Sequence, residues 1–278
     1  MGDQLRLPDV TLVCVDTRTP ALAIAAMQRC QAQVQFGDAV LLTDPELTLD
    51  TPTGIRLEPV AIDSVAAYSQ LMLRGLLPHV ATSHLLVVQW DGFVLDAAQW
   101  DPAFLDFDYI GAPLRGEPPE RAVGNGGFSL RSRNLLLALQ DPALTPSHPE
   151  DLCICHRNRD RLERDHGLRI APLELATRFA YERVVPRHAT FGFHGLFNLP
   201  RVLSPAAMHA LVGALPDELA RGLDAHDLCR MLIELGQHAT AADLLAKRRR
   251  LGMHDRRTMR LRWQLQLARW RRRPQSQT

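Results

Sequence analysis

The chain has 278 residues, 46% of them hydrophobic and 23% charged, which is the composition of an ordinary globular protein with a sizeable core. No apolar run is long enough to span a bilayer, the N-terminus lacks a basic stretch followed by an apolar one, and five scattered cysteines suit a reducing, cytoplasmic setting. The formal net charge of +1 hides an uneven distribution: from Lys247 onward Asp255 is the sole acid among many arginines, so an anionic partner is expected there.

In chain order, Val10 to Val15 reads as a buried strand ending at Asp16-Thr17-Arg18. Pro20 opens a helix from Ala21 to Ala32, where its missing N–H costs little. Ala39 to Leu42 is a second short strand, and Gly54 to Val60 a third. A helix follows from about Ser64 to Leu77, stopped before Pro78. Leu85 to Trp90 is the next strand, an apolar run that stops at Asp91-Gly92. Alternating strands and helices predict an α/β layer with a mostly parallel sheet. A carboxylate at the end of a buried strand lies on the edge where open α/β sheets bind ligands, although an Asp-Gly pair also makes a simple turn.

The middle is less regular. Phe107 to Pro113 contains a short strand, and Leu114 to Arg121 is a polar loop, a candidate lid. The glycines of Gly124-Asn125-Gly126-Gly127 permit close backbone approach to a ligand. Phe128 to Leu130 then forms a strand leading into a helix over Arg133 to Leu139. Ser147-His148-Pro149-Glu150-Asp151 has the composition of a helix start, with two acids at its positive end, and Gly167 closes that helix. Cys153, Cys155 and His156, with His148 nearby, could form a zinc site, but buried inert thiols on a helix face fit the spacing better. After Ser204-Pro205 the chain reads as three helices, Ala225 to Leu235, Ala239 to Leu251 and Arg256 to Arg272, broken at Gly236 and Gly252. Two domains are therefore expected, 8–203 and 204–278.

Four segments stand together: Gln89-Trp90-Asp91-Gly92-Phe93, Gly124-Asn125-Gly126-Gly127-Phe128-Ser129-Leu130-Arg131, His148-Pro149-Glu150-Asp151 and Phe191-Gly192-Phe193-His194-Gly195. In this order they resemble an uncharacterised bacterial and viral domain family grouped with the GT-A-type glycosyltransferases, over about Val10 to Pro200. The resemblance implies a Rossmann-like GT-A fold that transfers a sugar from a nucleotide-sugar to a glycan or lipid-linked acceptor. Gln89-Trp90-Asp91 occupies the place of the usual Asp-x-Asp motif, with Gln89 where an acid is expected. Asp91 and His194 are the implied ligands of Mn²⁺ or Mg²⁺, which would offset charge on the leaving diphosphate. Gly192 and Gly195 would leave room around His194. Asp151, or Glu150 beside it, matches the base of an inverting enzyme. Both acids could equally stabilise a helix start by about 0.3–1 kcal/mol each.

Asp16, Thr17 and Arg18 are implied to meet the nucleobase and ribose. Tyr68 and Arg74 lie on the helix before the Asp91 strand, where Arg74 could reach a phosphate or equally stand in water. Asn125, Gly126 and Gly127 would lie under the sugars, and Asn125 also tolerates a left-handed turn. Trp90 and Trp100 could stack on a sugar or pack in the core. In the tail, Lys247 to Arg250 and Arg271 to Arg273 flank a helix with Trp263, Leu265, Leu267 and Trp270. Attachment to an anionic membrane at the inner face and a helical cap with solvated arginines both fit, and nucleic acid fits less well because no reading motif accompanies the charge. A non-catalytic nucleotide or sugar binder, and an interaction protein acting through the tail, remain the alternatives to a transferase.

Overall fold

A computed structural model describes residues 4–46 and 53–271. The arginines after Arg271 lie outside the described residues. The chain divides into two compact units, 1–194 and 195–278, against the boundary after residue 203 expected from the Ser204-Pro205 composition shift.

The first unit is built on a six-stranded sheet in the order β3-β2-β1-β4-β6-β5. Its strands are β1 (Leu5–Val15), β2 (Val34–Thr43), β3 (Arg56–Pro59), β4 (His84–Val88), β5 (Tyr109–Gly111) and β6 (Phe128–Ser132). β3, β2, β1 and β4 are parallel, and β6 runs antiparallel to both β4 and β5. This is the mostly parallel, helix-flanked α/β layer that the alternating pattern predicts. The carboxyl halves of β1 and β2, and β4 from Leu85, are largely apolar because both faces are covered. Val13, Val15, Val40, Leu42, Leu85 and Val87 share one face with Met72, Leu76 and Leu136. Leu12, Cys14, Leu41, Leu86 and Val88, also buried, alternate onto the other face.

β1 and β2 are longer than the apolar runs suggest. Arg6, Pro8 and Asp9 interrupt the pattern of β1, and the register with β2 shifts between Leu7 and Thr11. At this irregularity the strands approach so closely that a Cβ on Gly37 would lie 2.0 Å from the Pro8 carbonyl oxygen.

The helices of this unit are α1 (Pro20–Gln31), α2 (Val65–Gln70), α3 (Arg133–Ala138), α4 (Glu150–Leu152), α5 (Arg159–His166) and α6 (Leu173–Phe179). Ser64 caps α2 by accepting from the Ala67 N–H at 3.1 Å. The helix expected over 64–77 is interrupted: after Gln70 it widens into a π turn over Leu71–Gly75, and a short 3₁₀ turn at Leu77–His79 follows. A second π turn, Cys153–Arg157, continues α4. Gly167 closes α5 in the left-handed conformation at φ 66°, as its position predicts. Two-residue strands β7 (Ala180–Tyr181) and β8 (Gly192–Phe193) pair in parallel. Trp100 packs edge-on against Phe104 and Phe191, at centroid distances of 5.3 and 5.0 Å. It serves an aromatic core that also holds Phe128 and Phe179. Cys153 and Cys155 are buried thiols, and burial pushes Cys155 well up from its ordinary pKa, so it behaves as an inert apolar residue.

The second unit is helical, with α7 (Leu199–Val202), α8 (Pro205–Ala214), α9 (Asp217–Arg221), α10 (Leu223–Glu234), α11 (His238–Arg250) and α12 (Arg256–Arg271). The last three match the three helices expected. α8 and α9 are additional, although Ser204 does cap α8 by accepting from the Ala207 N–H at 3.2 Å, with Pro205 in its first turn. α10 is the hub, in contact with α7, α9, α11 and α12.

Candidate functional site

β4 delivers Gln89, Trp90 and Asp91 just beyond its carboxyl end. β6 runs the other way, with Phe128 opposite Val88, so the glycine loop before it reaches the same edge. β1 ends alongside, with Cys14 opposite Val88, which brings Asp16 to this edge as well. His194 follows β8, and its N–H donates to the Tyr181 carbonyl at 2.9 Å. Four distant parts of the sequence therefore converge on the edge where open α/β sheets hold ligands.

His194 Nε2 lies 3.0 Å from Gln89 Oε1 and 3.3 Å from Asp91 Oδ1. Gln89 Nε2 in turn donates to the Tyr68 hydroxyl at 2.9 Å. Gln89 thus donates to one neighbour and faces the imidazole with its oxygen, a pairing that a carboxylate could not make. Burial, with a smaller contribution from the nearby Glu150 charge, raises the Tyr68 hydroxyl pKa, so Tyr68 stays a neutral hydrogen-bonding group at physiological pH.

The glycines that make room for the imidazole differ from the two expected. A Cβ on Gly127 would sit 2.2 Å from His194 Nε2, and one on Gly92 would sit 2.8 Å from the Phe193 carbonyl oxygen and 3.2 Å from His194 Cδ2. Gly192 instead makes way for the Phe128 ring, which would lie 2.1 Å from its Cβ, and Gly195 has φ 103°.

Glu150 and Asp151 point to different partners. Glu150 is buried, with Oε1 3.6 Å from Nη2 of Arg131, whose side chain is fully buried. Arg131 Nε donates to Ser129 Oγ at 3.1 Å and Nη1 to the Met72 carbonyl at 3.4 Å, and the guanidinium lies over the Tyr109 ring. Glu150 is the counter-ion of this buried cation. Asp151 is more accessible, and its Oδ2 accepts from the Gly126 N–H at 3.3 Å. A Cβ on Gly126 would meet Glu150 Oε1 at 2.3 Å, so the loop passes directly over the acidic pair. Asn125 holds φ 62°, and its side-chain oxygen is buried with no hydrogen-bond partner among the described residues. Buried polar atoms are seldom left so.

Sequence reasoning missed Arg131. Its signal was an arginine on the same strand face as Ser129 in an apolar strand, but its acid lies in another element. His148, read from the sequence beside a possible zinc site and at a helix start, has its Nδ1 2.9 Å from Ser69 Oγ, tying α2 to the start of α4. Arg74 is engaged away from this edge. Its guanidinium donates to the carbonyls of Leu139, Asp141 and Leu144 at 2.9–3.2 Å, clamping the segment after α3. Asp16 is occupied by local turns, with Oδ1 accepting from the N–H groups of Arg18 and Thr19 and Oδ2 from the Thr19 hydroxyl. Thr17 is half-buried and Arg18 exposed beside it, and Trp90 is half-buried next to Asp91.

Among the described residues no group of three or more His, Cys, Asp or Glu side chains could hold a metal ion. Asp91, His194 and the amide oxygen of Gln89 nonetheless provide three donor atoms. Their separations from Nε2, close to 3 Å, match neighbouring corners of an octahedron with bonds of about 2.1 Å.

No curated protein matches the sequence. Solved structures that resemble the chain include a glycosyltransferase involved in glycosylation of the major capsid of PBCV-1, 11% identical with a TM-score of 0.42, covering 66% of this chain and 91% of that one. Another is the mannosyltransferase PcManGT from Pyrobaculum calidifontis in complex with GDP-Man and Mn²⁺, 12% identical with a TM-score of 0.39, covering 94% of this chain and 81% of that one. A third is an active-site mutant of LgtC, 14% identical with a TM-score of 0.38, covering 66% and 86%. Residues 53–194 match the family described as protein of unknown function, DUF5672, and the chain belongs to that family.

Proposed function

We propose that the first unit is a metal-assisted glycosyltransferase with a GT-A fold, acting on a nucleotide-sugar donor and a glycan or lipid-linked acceptor. The observation that carries this reading is the convergence of Asp91, His194 and Gln89 beside the glycine loop and Asp151, at the carboxyl edge of the parallel strands. Asp91 Oδ1, His194 Nε2 and Gln89 Oε1 would hold a Mn²⁺ or Mg²⁺ ion. One carboxylate among three donors leaves the ion with excess positive charge, which suits a site completed by diphosphate oxygens. When bound, the ion would offset the charge that develops on the leaving nucleoside diphosphate.

The chain's own residues account for the rest. Asn125, with Gly126 and Gly127, lies where the donor sugar would sit, and its unsatisfied oxygen accepts from a sugar hydroxyl. Asp16, Thr17, Arg18 and Trp90 form the neighbouring rim for the base and ribose. Asp151 takes the proton of the acceptor hydroxyl as that oxygen attacks the anomeric carbon and the bond to phosphate breaks, inverting the configuration. Glu150 stays paired with Arg131 and holds the start of α4 in place. Tyr68 orients Gln89, whereas Arg74 acts on the fold and takes no part in donor binding.

The test is thermal unfolding of the full chain with nucleoside diphosphates and nucleotide-sugars, with and without Mn²⁺. A ligand at 100 times its Kd stabilises the folded state by about 2.7 kcal/mol. A Mn²⁺-dependent rise with one nucleotide, abolished by Asp91→Ala, is the expected result, and no rise with any nucleotide would sink the proposal. Gln89 in place of an acid supports a second reading, a non-catalytic nucleotide-sugar binder. Sugar transfer by the wild type that is lost in Asp151→Asn with nucleotide binding intact would exclude it.

A further inference from the structure

Helix α12 is apolar on two opposite faces. Thr258, Leu261 and Leu265 are buried where the helix packs on α10 and α11. Met259, Trp263, Leu267 and Trp270 recur every three or four residues on the other side and are exposed, the two tryptophans by 65% and 70%. At 100° per residue these four side chains fall within one arc of the helix surface. Arg260 and Arg271 border that arc on one side and Arg262 and Arg269 on the other, and Arg256 stands at its N-terminal end. No acid occurs between Arg256 and Arg271. The nearest, Asp255, caps the helix by accepting from the Thr258 N–H at 2.8 Å, and that bond lowers its pKa. The expectation for the tail included Leu265 in the presented apolar set, but it belongs to the buried face.

We infer that the exposed face of α12 is a membrane-interface element that lies on anionic lipid, with Trp263, Leu267 and Trp270 inserted at the headgroup level and the flanking arginines on lipid phosphates. Charge complementarity selects this occupant. A second copy of the helix would bring arginines against arginines, whichever way it ran. Nucleic acid would meet arginines only at the margins and an apolar stripe at the centre, the reverse of a phosphate-binding surface. A bilayer surface supplies both chemistries at the required depth, apolar beneath and anionic at the margin. The inference does not depend on the transferase reading.

The experiment uses the full chain and vesicles of phosphatidylcholine, either alone or with about one-third phosphatidylglycerol. Co-sedimentation with the anionic vesicles, and a blue shift of tryptophan emission that neutral vesicles do not produce, are expected. Trp263→Ala/Trp270→Ala should lose both while keeping wild-type circular dichroism, since neither ring is buried. Arg260→Gln/Arg262→Gln should weaken partitioning about 25-fold, from roughly five-fold per basic residue at such a surface. Equal binding to neutral vesicles, failure to sediment with anionic ones, or unchanged binding by the tryptophan variant would overturn the inference. So would a dimer that the tryptophan substitutions dissociate, or oligonucleotide binding in place of vesicle binding.

Discussion

Replacing Gly127 by alanine adds one methyl group at the centre of the candidate site. The three atoms nearest to the new Cβ all belong to the His194 ring: Nε2 at 2.2 Å, Cε1 at 2.4 Å and Cδ2 at 2.5 Å. Carbon contacts are favourable only beyond about 3.5 Å, so the imidazole must withdraw by more than about 1 Å. That movement opens the 3.0 Å approach to Gln89 and the 3.3 Å approach to Asp91. Gly127 does not have a positive φ, so the cost is steric. Overpacking of this kind destabilises by about 1–3 kcal/mol, a fall of a few degrees to about 10 °C in Tm for a protein of this size. Removing the ring should remove the cost: in a His194→Ala background, Gly127→Ala should be close to neutral. Thermal unfolding of the four proteins gives a coupling energy, expected to be about 1–3 kcal/mol. If Gly127→Ala destabilises both backgrounds equally, Gly127 is needed for some other reason and this account of how His194 is held is wrong.

Three further outcomes follow from the same contacts. Glu150→Gln leaves the buried Arg131 charge without its counter-ion and should cost about 3–5 kcal/mol in unfolding experiments, whereas Asp151→Asn should cost little stability and abolish sugar transfer. Arg74→Ala removes donors to three carbonyls and should lower stability by about 1–3 kcal/mol with nucleotide affinity unchanged in titration calorimetry; a selective loss of affinity would return Arg74 to the donor site. Burial lowers the pKa of His84, partly opposed by Asp108, so the unfolded chain binds the proton more tightly. Its contribution to stability is full above the unfolded pKa of about 6.5 and is lost as the pH falls through the lower folded value. His84→Gln should flatten the stability profile just below pH 6.5, and an unchanged acid limb would show that the group does not matter.

What could be read from the sequence depended on whether the signal was local. β4 was legible because Leu85 to Val88 are buried on both faces and carry no polar residue. The first half of β1 was not, because Arg6, Pro8 and Asp9 mimic a loop although the strand continues through the irregularity opposite Gly37. α8 carried a Ser-Pro start at Ser204-Pro205, yet its short run of Ala and Leu lacked a clear polar face. The two-residue strands β7 and β8 are below what any periodicity can reveal, and His194 depends on them for its position.

In the site, the residues were legible and the pairings were not. Glu150 and Asp151 are adjacent, carry the same charge and are equal candidates on spacing alone. What separates them is Arg131, nineteen residues earlier on the chain, whose buried guanidinium draws Glu150 inward and leaves Asp151 beside the Gly126 N–H. Gln89 shows the same limit from the other direction. As a sequence feature it is a missing carboxylate, a departure that argues against metal. In the fold it is an amide that donates to Tyr68 and turns its oxygen to His194, at 2.9 and 3.0 Å. An acid at 89 would lose the donor to Tyr68 and place a second negative charge beside Asp91. Gln89→Glu therefore separates two requirements that the motif alone confounds. If charge on the proposed cation site limits function, the variant should bind Mn²⁺ more tightly; if the orientation of His194 limits it, metal binding should weaken and Tm should fall.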